Sequence, residues 1–367
     1  MVVDRAVVDR AVVDRPAASG RAPSDPSALQ PASSDETMAA VMTPHPTLIG
    51  STLPRRFVAL VGLAAILSAC GGGTDGTADG KAPAPSTSTD CAIRRGETSR
   101  TIDRPEGPRT FDVYGPTSAP TGVVFDFHGT GGVPGTEDAF TRLSTAGPAK
   151  GFVVVQPQAL GTPAHWTVPG IAGPDDQALT QAILDSLRSD WCLDGVSVFA
   201  TGISSGAGMA TALACAGAVR AAAPIAGVAL VRRCPTGSKV SVLTFHGTKD
   251  QAVPYDGTPG WQEREKMARG FFVGAMEPIM SAFARRDGCG TTPSETPVGV
   301  ETTRMRWPHC AGGTEVVAYR VAGGGHNAPV TQALIDAAGI NDQIGPSTDD
   351  IVATDVLLDF FARHVAH

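Results

Sequence analysis

From residue 110 onward, short and nearly unbroken apolar runs alternate with longer stretches in which apolar side chains recur every three or four positions. The runs 122–127, 152–155, 196–200, 221–225, 240–245 and 316–321 read as strands, and 110–114 reads as extended. Unbroken apolarity suits strands that are covered on both faces. Leu179, Ile183 and Leu187 stand four apart behind Asp175-Asp176, which predicts a helix over 175–191. An Ala-rich run at 207–218, the stretch 267–286 and an amphipathic stretch at 351–365 predict further helices, with Gly270 and Gly274 interrupting the second. Strands and helices in alternation predict an α/β fold: a mostly parallel central sheet with helices on both faces.

The first ninety or so residues follow no such pattern. Residues 2–15 repeat Val-Val-Asp-Arg, and polar Pro/Ser/Ala sequence continues to about residue 46 with no apolar face to bury. Two readings stand open for 1–46: a disordered leader, or a mis-assigned start with Met38 or Met42 as the initiator. Arg55-Arg56 then precede an apolar run over 57–67, too short to span a bilayer and placed as the core of a signal peptide at 47–69. Leu67-Ser68-Ala69-Cys70 resembles a bacterial lipobox, with Cys70 as the lipidated residue; an ordinary secretory cleavage site is the alternative. The Gly/Thr/Ser/Pro-rich residues 70–90 read as a flexible tether, and 91–367 as one catalytic domain. The expected location is outside the cytoplasm, at the cell envelope through Cys70 or secreted.

Removing residues 1–69 leaves the net charge of −7 unchanged, since acidic and basic side chains balance there. An acidic chain is a poor electrostatic partner for nucleic acid or anionic lipid, so membrane contact is expected through the lipid anchor only. Oligomeric state stays open. Of the seven cysteines, all but Cys70 form an even set: Cys91, Cys192, Cys215, Cys234, Cys289 and Cys310. An even number in an exported chain points to disulfides. Spacing favours Cys289–Cys310 and Cys215–Cys234, leaving Cys91–Cys192; free buried thiols are the alternative. No Cys/His spacing points to a metal, and no cofactor is expected.

Chemistry enters with Gly202-Ile203-Ser204-Ser205-Gly206. In a chain with 43 Gly this pentapeptide alone carries little weight, but it joins a strand to a helix, the setting of a nucleophile elbow. A serine hydroxyl needs a general base, and the base needs a carboxylate to fix its tautomer. Asp250 follows the strand at 240–245 and is the candidate acid, with Asp256 second. His326, after Gly323-Gly324-Gly325, is the candidate base. His128 and His246 end strands in His-Gly pairs and read as turn-shaping residues. Backbone N–H groups of Ser205 and of Thr130, in His128-Gly129-Thr130-Gly131-Gly132, are the candidate oxyanion donors, with Gly131 next after Thr130. Trp166, Tyr255 and Trp261 are candidates to line a substrate pocket, with a packing role as the alternative for each.

Together these motifs resemble exported esterases related to polyhydroxybutyrate depolymerases and feruloyl/acetyl xylan esterases, including actinobacterial lipoproteins. The resemblance runs over 110–364. It rests on Phe127-His128-Gly129, Asp175-Asp176, Trp191-Cys192-Leu193-Asp194, the segment 201–209, His246-Gly247-Thr248 with Asp250, Val253-Pro254-Tyr255, and Gly323-Gly324-Gly325-His326. It implies the α/β-hydrolase fold, a serine esterase with Ser204, Asp250 and His326 as triad, no cofactor, and a Cys289–Cys310 bridge. Where such relatives often carry an aromatic residue and then Pro after the histidine, this chain has Asn327-Ala328-Pro329, so an aromatic contact to a feruloyl group is not carried over. The substrate is expected to be a small or polymeric carboxylic ester, polysaccharide-linked feruloyl or acetyl groups or a polyhydroxyalkanoate among them. An envelope acyltransferase using the same triad and a non-catalytic surface-binding lipoprotein are the alternatives.

Overall fold

The strands predicted from unbroken apolar runs form the middle of one twisted sheet. A computed structural model describes residues 96–169, 171–231, 238–257, 274–338 and 344–366, all within a compact unit spanning Lys81–His367. In chain order the elements begin with β1 (Gly96–Arg104), β2 (Gly107–Gly115), β3 (Gly122–Phe127), α1 (Pro134–Thr141), α2 (Leu143–Ala149) and β4 (Phe152–Pro157). A small ladder, β5 (Leu160–Gly161) and β6 (Ala164–His165), precedes α3 (Asp176–Trp191), β7 (Ser197–Ile203), α4 (Ser205–Ala216) and β8 (Ala221–Ile225). The chain continues through β9 (Ser241–Gly247), α5 (Met276–Arg286), β10 (Ser294–Pro297), β11 (Thr302–Trp307) and β12 (Val316–Val321). Two last helices follow, α6 (Gln332–Ala338) and α7 (Ala353–Arg363).

The sheet order is β1-β2-β4-β3-β7-β8-β9-β12-β11-β10. From β4 to β12 every neighbour is parallel, while β1, β2, β10 and β11 add antiparallel edges. This is the arrangement of an α/β-hydrolase. Alternate side chains of the central strands feed separate cores. Val123, Phe125 and Phe127 pack with Leu179, Ile183 and Leu187 of α3 and with Met209 and Leu213 of α4. Val124 and Phe199 pack on the other face with Leu357, Leu358 and Phe361 of α7. Both faces are therefore covered, which accounts for the absence of alternation in these strands.

Differences from expectation fall where the apolar signal is weak. The edge strands β1 and β10 and the short helices α1 and α2 carry few core side chains and were not expected. The helix expected over 267–286 starts at Met276, because Ala275 is extended (φ −74°, ψ 142°); residues 258–273, with Trp261, lie outside the described set. The Cys289–Cys310 disulfide is present. Cys192 and Cys215 are each disulfide-bonded, while Cys91 and Cys234 lie outside the described residues, as do the leader, signal peptide, Cys70 and tether. Among the described residues no helix is long and apolar enough to cross a membrane.

Candidate active site

One residue separates the end of β7 from the start of α4. That residue is Ser204, with φ 56° and ψ −121°, a conformation non-glycine residues rarely adopt. Its N–H donates to Ile225 O of the neighbouring strand (3.1 Å). The flanking glycines are required by contact: a Cβ on Gly202 would stand 2.3 Å from Phe127 O, and one on Gly206 only 1.9 Å from the same atom. Closeness to β3 thus fixes the G-x-S-x-G pattern. As the first residue of α4, Ser205 has an N–H with no partner earlier in its own helix.

The loop after β3 is shaped by His128, which is 1 % exposed. Its Nδ1 donates to Gly129 O (2.7 Å) and its Nε2 accepts from Ala159 N–H (3.1 Å), so the partners fix a neutral tautomer. Burial lowers the pKa of the ring, against an opposing contribution from the Gly129 carbonyl. Gly131 N–H donates to Ala164 O (2.7 Å) and Gly132 N–H to Gly129 O (3.0 Å). Gly131, the second choice for an oxyanion donor, is therefore already engaged. Thr130 lines the cavity beside Ser204.

Trp166 serves this loop from behind. Its indole N–H donates to His128 O (2.8 Å), and its ring packs edge-on against Phe127. The segment carrying Trp166 is held by Asp176, which accepts from Thr167 N–H (2.8 Å) and pairs with buried Arg109 (2.7 Å). Trp166 is fully buried, so the expectation that it lines a substrate pocket is corrected to support of the loop after β3. Tyr255 is corrected likewise. Its hydroxyl donates to Glu277 (2.6 Å) and its ring packs against His246, outside the cavity that holds Ser204.

Asp250 and His326 meet through close backbone contact between two loops. Lys249 N–H donates to Gly324 O (2.9 Å), and a Cβ on Gly247 would stand 2.2 Å from that oxygen. His326 Nδ1 donates to Asp250 Oδ2 (2.8 Å), leaving Nε2 on the opposite side of the ring. Asp250 Oδ1 accepts from Ala252 N–H (2.9 Å) and Val253 N–H (2.7 Å). Burial pushes the Asp250 pKa up, but hydrogen bonds from His246 and His326 outweigh it and hold the carboxyl at about 2. Asp256, the second-choice acid, is exposed.

Ser204, Thr130 and His326 share a cavity of about 230 Å³ whose apolar wall is Phe140, Ile203, Ala328 and Ile344. Asn327, standing where an aromatic residue was noted in the resembling esterases, is a clamp. Its Nδ2 donates to the carbonyls of Ile344 (3.2 Å), Gly345 (3.1 Å) and Pro346 (2.9 Å). Sequence reading missed three features: this clamp, His246 as a second donor to Asp250, and Glu137 in the cavity wall. His246 and Asp250 are four apart, which was the available signal; Glu137 had none. Among the described residues no group of three or more His, Cys, Asp or Glu is placed to hold a metal ion.

No protein-family model matches the chain. It is 41 % identical over 88 residues to a probable feruloyl esterase C of Aspergillus terreus, covering 23 % of this chain and 32 % of the relative. It is 29 % identical over 170 residues to feruloyl esterase B of Piromyces equi (44 % and 31 %). With feruloyl esterase D of Neurospora crassa the identity is 31 % over 157 residues (42 % and 48 %). The chain thus spans about a third to a half of the length of these curated relatives. Among solved structures, acetyl xylan esterase from Aspergillus awamori superposes with a TM-score of 0.48 at 15 % identity, covering 66 % of this chain and 98 % of that one.

Proposed function

We propose that the chain is an exported serine esterase that hydrolyses carboxylic esters through an acyl-enzyme. The observation that carries the reading is one cavity lined by Ser204 in its strained conformation and by His326, whose Nδ1 is held on Asp250. The names of the relatives, feruloyl esterases, support the same chemistry.

Ser204 Oγ attacks the ester carbonyl carbon while His326 Nε2 takes its proton. The imidazolium so formed faces the Asp250 carboxylate, which is already ionised and needs no rearrangement. Negative charge on the carbonyl oxygen is met by the N–H groups of Ser205 and Thr130; a donor of this kind contributes about 3–4 kcal/mol to the transition state. Collapse breaks the bond to the alcohol, which leaves with the proton from His326. Water, activated by the same imidazole, then releases the acid and restores Ser204. In this reading residues 91–367 form the catalytic domain, 47–69 are the signal peptide, Cys70 carries a lipid and 70–90 tether the enzyme to the envelope. Esters of feruloyl and acetyl groups on polysaccharide are the first class to try, with polyhydroxyalkanoates after them.

The test is labelling by a fluorophosphonate together with turnover of p-nitrophenyl acetate and butyrate. Ser204→Ala is expected to abolish both while its melting curve stays that of a folded protein. Undiminished turnover in that variant would overturn the proposal.

A further inference from the structure

Glu137 stands in the first turn of α1 and is only 4 % exposed, yet it lines the cavity that holds Ser204 and His326. Its main-chain carbonyl accepts from Thr141 Oγ1 (3.3 Å), but among the described residues its carboxyl has neither a hydrogen-bond partner nor a cation. The charges that act on it are the carboxyls of Asp126 and Asp138. Asp138 is partnered, since Ser144 donates to it through its N–H (2.7 Å) and its hydroxyl (2.6 Å), and Gln156 Nε2 donates to one oxygen of Asp126 (2.9 Å), whose other oxygen, Oδ1, has no partner among the described residues. Glu137 takes no part in these hydrogen bonds and lines the cavity.

We infer that Glu137 is a specificity residue whose carboxyl group hydrogen-bonds a hydroxyl carried by the ester bound beside Ser204. This rests on the esterase reading above. A buried polar group without a partner destabilises the fold unless something else satisfies it, and the cavity that Glu137 lines is where a ligand group can reach it. Burial first, and then the neighbouring carboxyl groups of Asp126 and Asp138, push the Glu137 pKa well up and so favour its neutral form. A neutral carboxyl offers one O–H donor and one carbonyl acceptor, which matches a hydroxyl, itself donor and acceptor. It offers no charge to hold a cation, and it repels an anion no more than a neutral wall would. The other walls, Phe140, Ile203, Ala328 and Ile344, are apolar. The ligand chemistry that fits is a hydrocarbon body bearing a hydroxyl, in the acid half or the alcohol half of the ester.

The test compares kcat/KM for ester pairs that differ by one hydroxyl. Methyl 4-hydroxycinnamate against methyl cinnamate, and p-nitrophenyl 3-hydroxybutyrate against the butyrate, place it on an aryl or an alkyl acid. 4-Hydroxybenzyl acetate against benzyl acetate places it on the alcohol. The wild-type enzyme is expected to prefer the hydroxylated member of at least one pair by about tenfold. In Glu137→Leu that ratio falls to near one, through loss on the hydroxylated ester alone, and the melting temperature rises. Glu137→Gln keeps a donor and an acceptor and keeps most of the preference. The inference is overturned if Glu137→Leu leaves the ratio unchanged. It is also overturned if the wild type hydrolyses every pair without preference in a Ser204-dependent way, an outcome that needs no variant of Glu137 to fold. Absence of Ser204-dependent turnover on all six esters is a different result: it removes the esterase reading, and this inference with it.

Discussion

His246 and His326 converge on a single oxygen of Asp250, His326 Nδ1 at 2.8 Å and His246 Nε2 at 3.3 Å. The same Nε2–H of His246 also faces Val253 O (2.7 Å). The carboxylate is thus steadied from the side away from the cavity as well as by the proposed base. His246→Phe keeps the ring and removes the donor. It is expected to lower kcat about tenfold with little change in KM. Loss of a bond that favours the carboxylate also raises the Asp250 pKa from about 2, so the acid limb of the kcat profile moves toward higher pH. Initial rates between pH 3 and 8 check both effects.

Contact with Phe127 O makes Gly206 the most demanding glycine of the elbow, with only 1.9 Å available to a Cβ. Gly206→Ala is expected to cost more than about 4 kcal/mol or to yield no folded protein. Gly135, itself exposed in the first turn of α1, has nothing within 4 Å of its Cβ position. Gly135→Ala is expected to stabilise by about 0.5–1 kcal/mol. Urea unfolding of both variants separates the two cases.

Asp126 is buried in β3; burial is the main force raising its pKa to about 7, with Asp138 adding to it and Gln156 opposing. An acid with a raised native pKa holds its proton in the folded state where the unfolded chain has released it. Stability is then complete below the ordinary carboxyl value of 3.8 and falls as pH rises toward about 7. Asp126→Asn cannot ionise, so its stability curve is expected to be flatter across that window, and its advantage over the wild type larger at pH 8 than at pH 4. Melting temperatures measured over that range provide the check.

The Cys289–Cys310 bridge closes a segment of sequence separation 21 between the end of α5 and the turn after β11. Neither cysteine lines the cavity. Replacing both by Ala is expected to lower stability by roughly 3 kcal/mol while kcat/KM stays within twofold or so. Guanidinium titration and steady-state kinetics on one preparation distinguish the two quantities.

The central sheet was legible because strands buried on both faces carry a dense apolar signal: runs 122–127, 221–225 and 316–321 coincide with β3, β8 and β12. The edges were not, since β1 and β10 present mostly exposed polar side chains whose pairing is made by backbone groups that leave no trace in residue type. Asp250 and His326 could be named because each follows a strand near glycines. Whether Trp166 and Tyr255 line a pocket or pack was not legible, for a physical reason. Large aromatic side chains look the same in sequence whether they face a ligand or cap a neighbour's carbonyl, and here hydrogen bonds to His128 O and Glu277 decide. Glu137 was invisible because a charged letter in a polar stretch reads as surface, and only the packing around α1 reveals it as interior.

The contact between Gly206 and the Phe127 carbonyl leaves no hinge between the turn that bears Ser204 and the loop that bears Thr130. Both are extensions of β3 and β7, which lie side by side in the middle of the sheet. On warming, these two pieces have no freedom to drift apart while the strands beneath them remain paired. Loss of activity by separation of Ser204 from Thr130 is therefore expected only as the sheet itself melts.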